Sequence, residues 1–186
     1  KLDLNEFTPQ NLANIVWAYA TNSMQHSDLF QKVGDSVASK RDLNEFAPQA
    51  LAIIVWAYAT AKVQHPGLFQ KVGDSIVAMD DLRSFKPKNL ANIVWAYASN
   101  NTQHPNLFQK MGDSIVATDD LRSFQPQVIA NIVWAYSRNS AQHPNLFQKV
   151  GDSIVAIDDL RSFDPQALAN IVWAYATSNT CHPNLF

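Results

Sequence analysis

All twenty aromatic residues of this 186-residue chain, five Trp, five Tyr and ten Phe, fall on one 39-residue grid. Trp17, Trp56, Trp95, Trp134 and Trp173 follow it, and so do Tyr19, Tyr58, Tyr97, Tyr136 and Tyr175. Two Phe series share the interval, one beginning at Phe7 and the other running from Phe30 to Phe186. A fixed period of this size marks an array of stacked helical or strand units, and it outweighs the single-domain prior set by length. Counting Phe as position 1, the copies are 7–45, 46–84, 85–123 and 124–162, with a partial copy at 163–186. Residues 1–6 match the tail of a preceding copy. Solenoids need polar caps, and neither terminus reads as one, so the chain is expected to be a window on a longer array.

The second copy, FAPQALAIIVWAYATAKVQHPGLFQKVGDSIVAMDDLRS, shows what each unit builds. Pro48 suits the first position of a helix, where its missing N–H costs nothing. Phe46 and Leu51 are spaced as a hydrophobic staple around that start. Helix A is predicted at 48–61; Gln64-His65-Pro66 then breaks the chain, helix B is predicted at 66–79, and residues 80–84 link to the next copy. At about 100° per residue, Leu51, Ala52, Ile54, Val55, Trp56, Tyr58 and Ala59 spread over roughly 200° of helix A, which must therefore pack on two sides. Helix B is one-faced: Leu68, Phe69, Val72 and Ile76 oppose Gln70, Lys71, Asp74 and Ser75. Lys71 and Asp74 are spaced for an i, i+3 pair, and Gly73 in mid-helix implies a close crossing of helices. The fold class is all-α: an α-solenoid of stacked helix-turn-helix units, helix A inside and helix B outside.

Composition narrows the role mostly by exclusion. With 14 Lys+Arg against 16 Asp+Glu, the net charge of −2 does not advertise nucleic-acid binding in bulk. A single cysteine, Cys181, excludes a disulfide framework or a cysteine zinc module. The apolar runs are too short for a membrane-spanning helix, and no signal peptide opens the chain. His26, His65, His104, His143 and His182 recur once per copy, too far apart in a stack to share a metal, so helix B capping or loop packing is expected of them. Gly-Asp-Ser at 73–75 and its counterparts sit on the outer helix with no neighbouring base in the sequence, and Asp80-Asp81 read as solvated linker acids near Arg83. Neither cofactor, metal nor enzymatic activity is expected. Trp at position 11 borders the polar strip of helix A, where its ring could stack on a base, but large aromatics at fixed spacing are expected in the core between copies.

Helix A keeps a polar strip of about 120° formed by positions 4, 5, 8, 12, 15 and 16. Positions 5 and 8 are Asn11 and Asn14, Ala50 and Ile53, Asn89 and Asn92, Val128 and Asn131, and Ala167 and Asn170. Position 15 is Thr21, Thr60, Ser99, Arg138 and Thr177. A constant scaffold with a changing residue on each inner helix suits the reading of a polymer one unit per copy, and Asn both donates to and accepts from a base edge. Ordinary drift between duplicated copies would give the same variation. The helix A segments hold no acid but do hold Lys88 and Arg138, as close approach of phosphates requires. These residues form the candidate RNA-binding set.

The helix A core PQ-x-L-A-N-I-V-W-A-Y-A resembles the octotricopeptide repeat, a helical-pair unit of organellar RNA-binding proteins related in style to RAP-domain and FAST-kinase-domain proteins. Pro9-Gln10, Leu12-Ala13-Asn14 and Trp17-Ala18 carry the likeness, which recurs from Pro48, Pro87, Pro126 and Pro165. It implies sequence-dependent binding of single-stranded RNA in a chloroplast or mitochondrion, in the service of RNA maturation, stability or translation. The alternative reading is a protein-binding scaffold or structural subunit of a large organellar assembly, which the low basicity favours.

Overall fold

The computed structural model describes residues 4–24, 26–157, 159–178 and 180–185. Among them, two kinds of helix alternate. The helix A series is α1 (Pro9–Thr21), α3 (Pro48–Thr60), α5 (Pro87–Ser99), α7 (Pro126–Arg138) and α9 (Pro165–Thr177). The helix B series is α2 (Ser27–Ala38), α4 (Pro66–Val77), α6 (Pro105–Val116) and α8 (Pro144–Val155). Short 3-10 turns occupy Leu4–Glu6, Leu121–Ser123 and Leu160–Ser162, and no strand occurs among the described residues. The chain is an α-solenoid.

Local chemistry fixes each boundary. Every helix A begins with proline at its first turn, and Thr8 and Asp164 add side-chain caps by accepting from the N–H of Asn11 and Ala167. Helix A then ends one residue earlier than the sequence predicts in the second copy, in a Schellman turn. Val63 N–H donates to Tyr58 C=O and Lys62 N–H to Ala59 C=O, with the same pairs at Thr102–Tyr97 and Ala141–Tyr136. The turn demands a positive φ at position 17, which Ser23, Lys62, Asn101 and Ser140 adopt without the help of a glycine. Histidine starts helix B: Nδ1 of His26, His65, His104 and His143 accepts from the N–H three residues on. Helix B stops at Val77 rather than 79, where the N–H of Ala78 closes it on the Asp74 carbonyl, and Lys110 Nζ donates to the carbonyls of both Val77 and Met79. Lys149 repeats this on Val116 and Thr118.

Packing follows from the distribution of small residues. Ala52, Ala57, Ala91, Ala96, Ala130 and Ala135 are buried on the flanks of helix A, so consecutive helix A segments lie closely side by side. Consecutive helix B segments touch less. The helix A segments thus form the tight side of the array and the helix B segments the looser side, the arrangement expected where helix A faces inward. The core runs unbroken through the array, and its largest fully buried side chains include Tyr58, Tyr97, Tyr136, Phe30, Phe69 and Phe147. Each phenol reaches back to the preceding copy: Tyr58 Oη donates to Phe30 C=O at 2.5 Å, Tyr97 to Phe69 at 2.6 Å, Tyr136 to Phe108 at 2.6 Å and Tyr175 to Phe147 at 2.7 Å. Burial, reinforced by the nearby Asp35, Asp74, Asp113 and Asp152 carboxylates, pushes all four phenols far above the ordinary tyrosine value.

Two expectations on helix B change. Gly73 does not mark a backbone crossing; a β-carbon there would overlap the imidazole of His104, and Gly34, Gly112 and Gly151 stand in the same way under His65, His143 and His182. Lys71 does not pair with Asp74. Its ammonium donates to Arg41 C=O, and Asp74 instead accepts from His104 Nε2 and Gln70.

Candidate functional site

On the helix A side of the array, positions 4, 8 and 11 of helix A fall at i, i+4 and i+7, so their side chains share one stripe. Stacking three copies aligns these stripes into an open cleft of about 580 Å³ across α1, α3 and α5. Gln10, Asn14 and Trp17 line it from the first copy, Gln49, Ile53 and Trp56 from the second, and Lys86, Lys88, Asn89 and Asn92 from the third. No carboxylate lines the cleft. Its amides are ordered along the helix: Gln10 Nε2 donates to Asn14 Oδ1 at 2.8 Å, a bond repeated outside the cleft on α7, where Gln127 Nε2 donates to Asn131 Oδ1 at 2.9 Å. That bond fixes the Asn side chain and occupies its oxygen, which leaves the NH₂ group to meet an acceptor.

The sixteen expected residues divide by position. Position 8 lies on the stripe: Asn14 is exposed, and Ile53, Asn92, Asn131 and Asn170 are half-buried on the same face. Lys88 and Arg138 are exposed. Position 5 does something else. Ala50, Val128 and Ala167 are buried, which takes these three out of the candidate set because no ligand reaches them. Asn11 and Asn89 turn back on their own helix starts, where their Oδ1 atoms accept from the N–H groups of Thr8 and Lys86. Position 15 is divided: Thr21 and Thr177 return their hydroxyls to the Trp17 and Trp173 carbonyls, Thr60 Oγ1 is buried without a partner among the described residues, and Ser99 is exposed. None of the position 15 residues lines the cleft of the first three copies.

Trp is the residue that sequence reasoning misplaced. Trp17 is 49% exposed and Trp173 42%, and Trp56, Trp95 and Trp134 are half-buried at the edge of the core rather than inside it. The indoles therefore form a row along the inner face, one per copy. The signal for this lay in the spacing: position 11 completes the stripe of positions 4 and 8, whereas Tyr at position 13 points into the junction. Gln10, Gln49 and Lys86 also join the cleft although the candidate set omitted them.

Other constellations resolve into structure. The Nε2 atoms of His65, His104, His143 and His182 lie 3.0–3.2 Å from Oδ1 of Asp35, Asp74, Asp113 and Asp152. Nδ1 accepts a backbone N–H in the first three of these, so Nε2 carries the proton and donates it to the carboxylate. Asp81 and Asp159 are held below the usual carboxylate range by hydrogen bonds from Arg83 and Arg161. Among the described residues no three His, Cys, Asp or Glu side chains gather as a metal site, and no helix is long and apolar enough to cross a membrane. Cys181 is free and exposed.

A sequence model of the family described as RNA-editing substrate-binding complex 6 protein (RESC6) matches residues 3–185, nearly the whole chain. No curated protein matches it. The family's name joins RNA editing, substrate binding and a multi-component complex, and it is not the octotricopeptide repeat that the helix A core resembles.

Proposed function

The chain belongs to the RESC6 family, and from that premise we propose that it is a non-catalytic subunit of an organellar RNA-processing assembly which holds single-stranded RNA along its inner face. The observation that carries this reading is the acid-free cleft in which half-exposed indoles alternate with aligned amides. Indole faces stack on bases of any identity, at roughly 1–3 kcal/mol per base. Amide NH₂ groups at position 8 supply donors to base edges or phosphates, and Lys86, Lys88 and Arg138 supply modest positive charge. A double helix cannot use a stacking row, so the ligand is a single strand. Sequence dependence would enter where position 8 changes, at Ile53 among asparagines.

The octotricopeptide likeness supports the same ligand class, and a mitochondrial or chloroplast setting comes with it. Absence of catalysis is supported by the histidines: where both ring nitrogens are engaged, neither is left to activate the adjacent serine. Protein partners belong to the same proposal, because the few inner-face cations would give only a shallow salt dependence and weak affinity for RNA alone.

The test is anisotropy with a labelled single-stranded RNA at two salt concentrations. Asn92→Ala with Asn131→Ala, both half-exposed and outside the core, is expected to weaken binding by about thirtyfold, in line with losing two donors of ~1 kcal/mol each. Unchanged affinity and base preference in this variant would remove position 8 from the interface.

A further inference from the structure

The outer side of the array carries a second repeated feature that the RNA reading does not use. Between the linker after α4 and helix α6 lies a cleft of about 630 Å³ whose lining is mostly apolar, with Pro87 and Ala117 accessible and Phe85 and Phe124 buried in the core. Its rim bears Asp80, Asp81 and Asp113. One period later Asp119, Asp120 and Asp152 border a hollow of about 660 Å³, and Phe124, Pro126 and Phe163 line a separate hollow of about 480 Å³ that shares Ala156 with it. The acidic rim therefore appears in two consecutive copies, its counterparts displaced by 39 residues, whereas the first copy carries Arg41 at the position of Asp80.

The rim of the first cleft keeps a small net negative charge, three carboxylates (Asp80, Asp81, Asp113) against two cations (Arg83, Lys110). Lys110 lies on this rim and Lys149 on the second, but both ammonium groups are turned onto carbonyls of the preceding copy. Arg83 is closed onto Asp81 at 2.6 Å. Asp113 and Asp152 give one oxygen to neutral imidazoles and remain 63% and 64% exposed. Asp80 and Asp119 are exposed and have no partner among the described residues. The inner cleft is lined by two lysines and no acid, so the two sides of the array have opposite charge preferences.

We infer that this outer cleft docks an extended segment of a partner protein in which arginine or lysine alternates with an apolar residue. The apolar side chain meets Pro87 and Ala117 and the cation meets the linker aspartates, and the two consecutive acidic rims let one segment engage both copies. Charge complementarity selects this occupant over RNA, which the carboxylates repel. Two faces of opposite preference would let the chain hold RNA and a protein subunit at once.

The probe is a labelled peptide of repeated Arg-Leu-Ser, compared with versions carrying Glu for Arg or Ser for Leu, titrated into the intact chain at near-physiological salt. Specific binding of the Arg-Leu-Ser peptide alone is expected, with about tenfold loss in the Asp80→Asn, Asp119→Asn variant, as removal of two rim charges implies. Single-stranded RNA affinity should not fall in that variant, and the peptide should still bind the Asn92→Ala, Asn131→Ala variant, so this docking site and the RNA site fail independently. Equal binding of the Glu peptide, indifference to the two aspartates, or tight binding by the Ser-for-Leu peptide would overturn the inference. So would sedimentation showing that a second copy of the chain occupies the cleft.

Discussion

His104 joins three groups at once. It caps α6 through Nδ1, donates from Nε2 to Asp74 of the preceding copy, and lies flat where Gly73 leaves room. The glycine is thus required by a ring and not by its own backbone, which gives a sign test. Helix propensity alone makes Gly73→Ala stabilising by about 1 kcal/mol. Displacement of the imidazole makes it destabilising by about 1–3 kcal/mol, the usual cost of overpacking. The second outcome is expected in thermal unfolding, while Gly67→Ala, whose β-carbon meets only ordinary contacts, is expected to be neutral or mildly stabilising. The buried phenols give a second test. Their folded-state pKa is raised above that of an unfolded tyrosine, so the stability they add is fully present below about pH 10 and is lost as pH rises beyond it. Phenolate absorbance from Tyr58, Tyr97, Tyr136 and Tyr175 should therefore appear only in the alkaline transition that also abolishes helical circular dichroism. Titration near pH 10 with the helices intact would show these hydroxyls to be solvated.

Helix starts differ among copies in ways that stability can read. Thr8 and Asp164 cap α1 and α9 with their side chains, but Ala47 offers α3 none. Ala47→Asp is expected to raise stability by about 1 kcal/mol through the missing cap, measured as a higher denaturation midpoint at unchanged slope. Helix identity and order were legible in the sequence, because proline at each start and the periodicity of helix A leave little choice. The ends of helix B were not. They fall at Ala38, Val77, Val116 and Val155, one period apart, with neither glycine nor proline to mark the stop in the sequence. The turn after helix A was hidden for a related reason, since Lys62 and Asn101 hold a left-handed conformation that glycine would ordinarily announce. The candidate site was half legible. Position 8 lies on the inner face as read, whereas position 5 was drawn from the same polar strip without allowing for its place in the first turn, where Asn11 and Asn89 serve the helix start and alanine or valine simply fills space. Trp was misread because an indole's size argues for burial, while its angular position beside Asn14 and Asn92 argues for the surface, and geometry prevailed.

Across the whole molecule, most copy-to-copy polar contacts run in one direction, with Gln64 Nε2 donating forward to Asn100 Oδ1 as an exception. Tyr, His and Lys of each copy bond backward to Phe, Asp and the helix B terminus of the one before. Such one-way stitching fixes the rotation between neighbours, so indoles and amides 39 residues apart come into line without direct contact among themselves. That alignment is what the proposed RNA role requires, and it offers its own probe, since every tryptophan of the chain belongs to the inner row. Intrinsic tryptophan emission followed during titration with single-stranded RNA, with an RNA duplex of the same length as comparison, tests the role most directly. The expected result is saturable quenching by the single strand, absent with the duplex and diminished in the Asn92→Ala, Asn131→Ala variant. RNA binding that leaves the emission unchanged, or equal quenching by the duplex, would place the ligand away from the indole row and contradict the account.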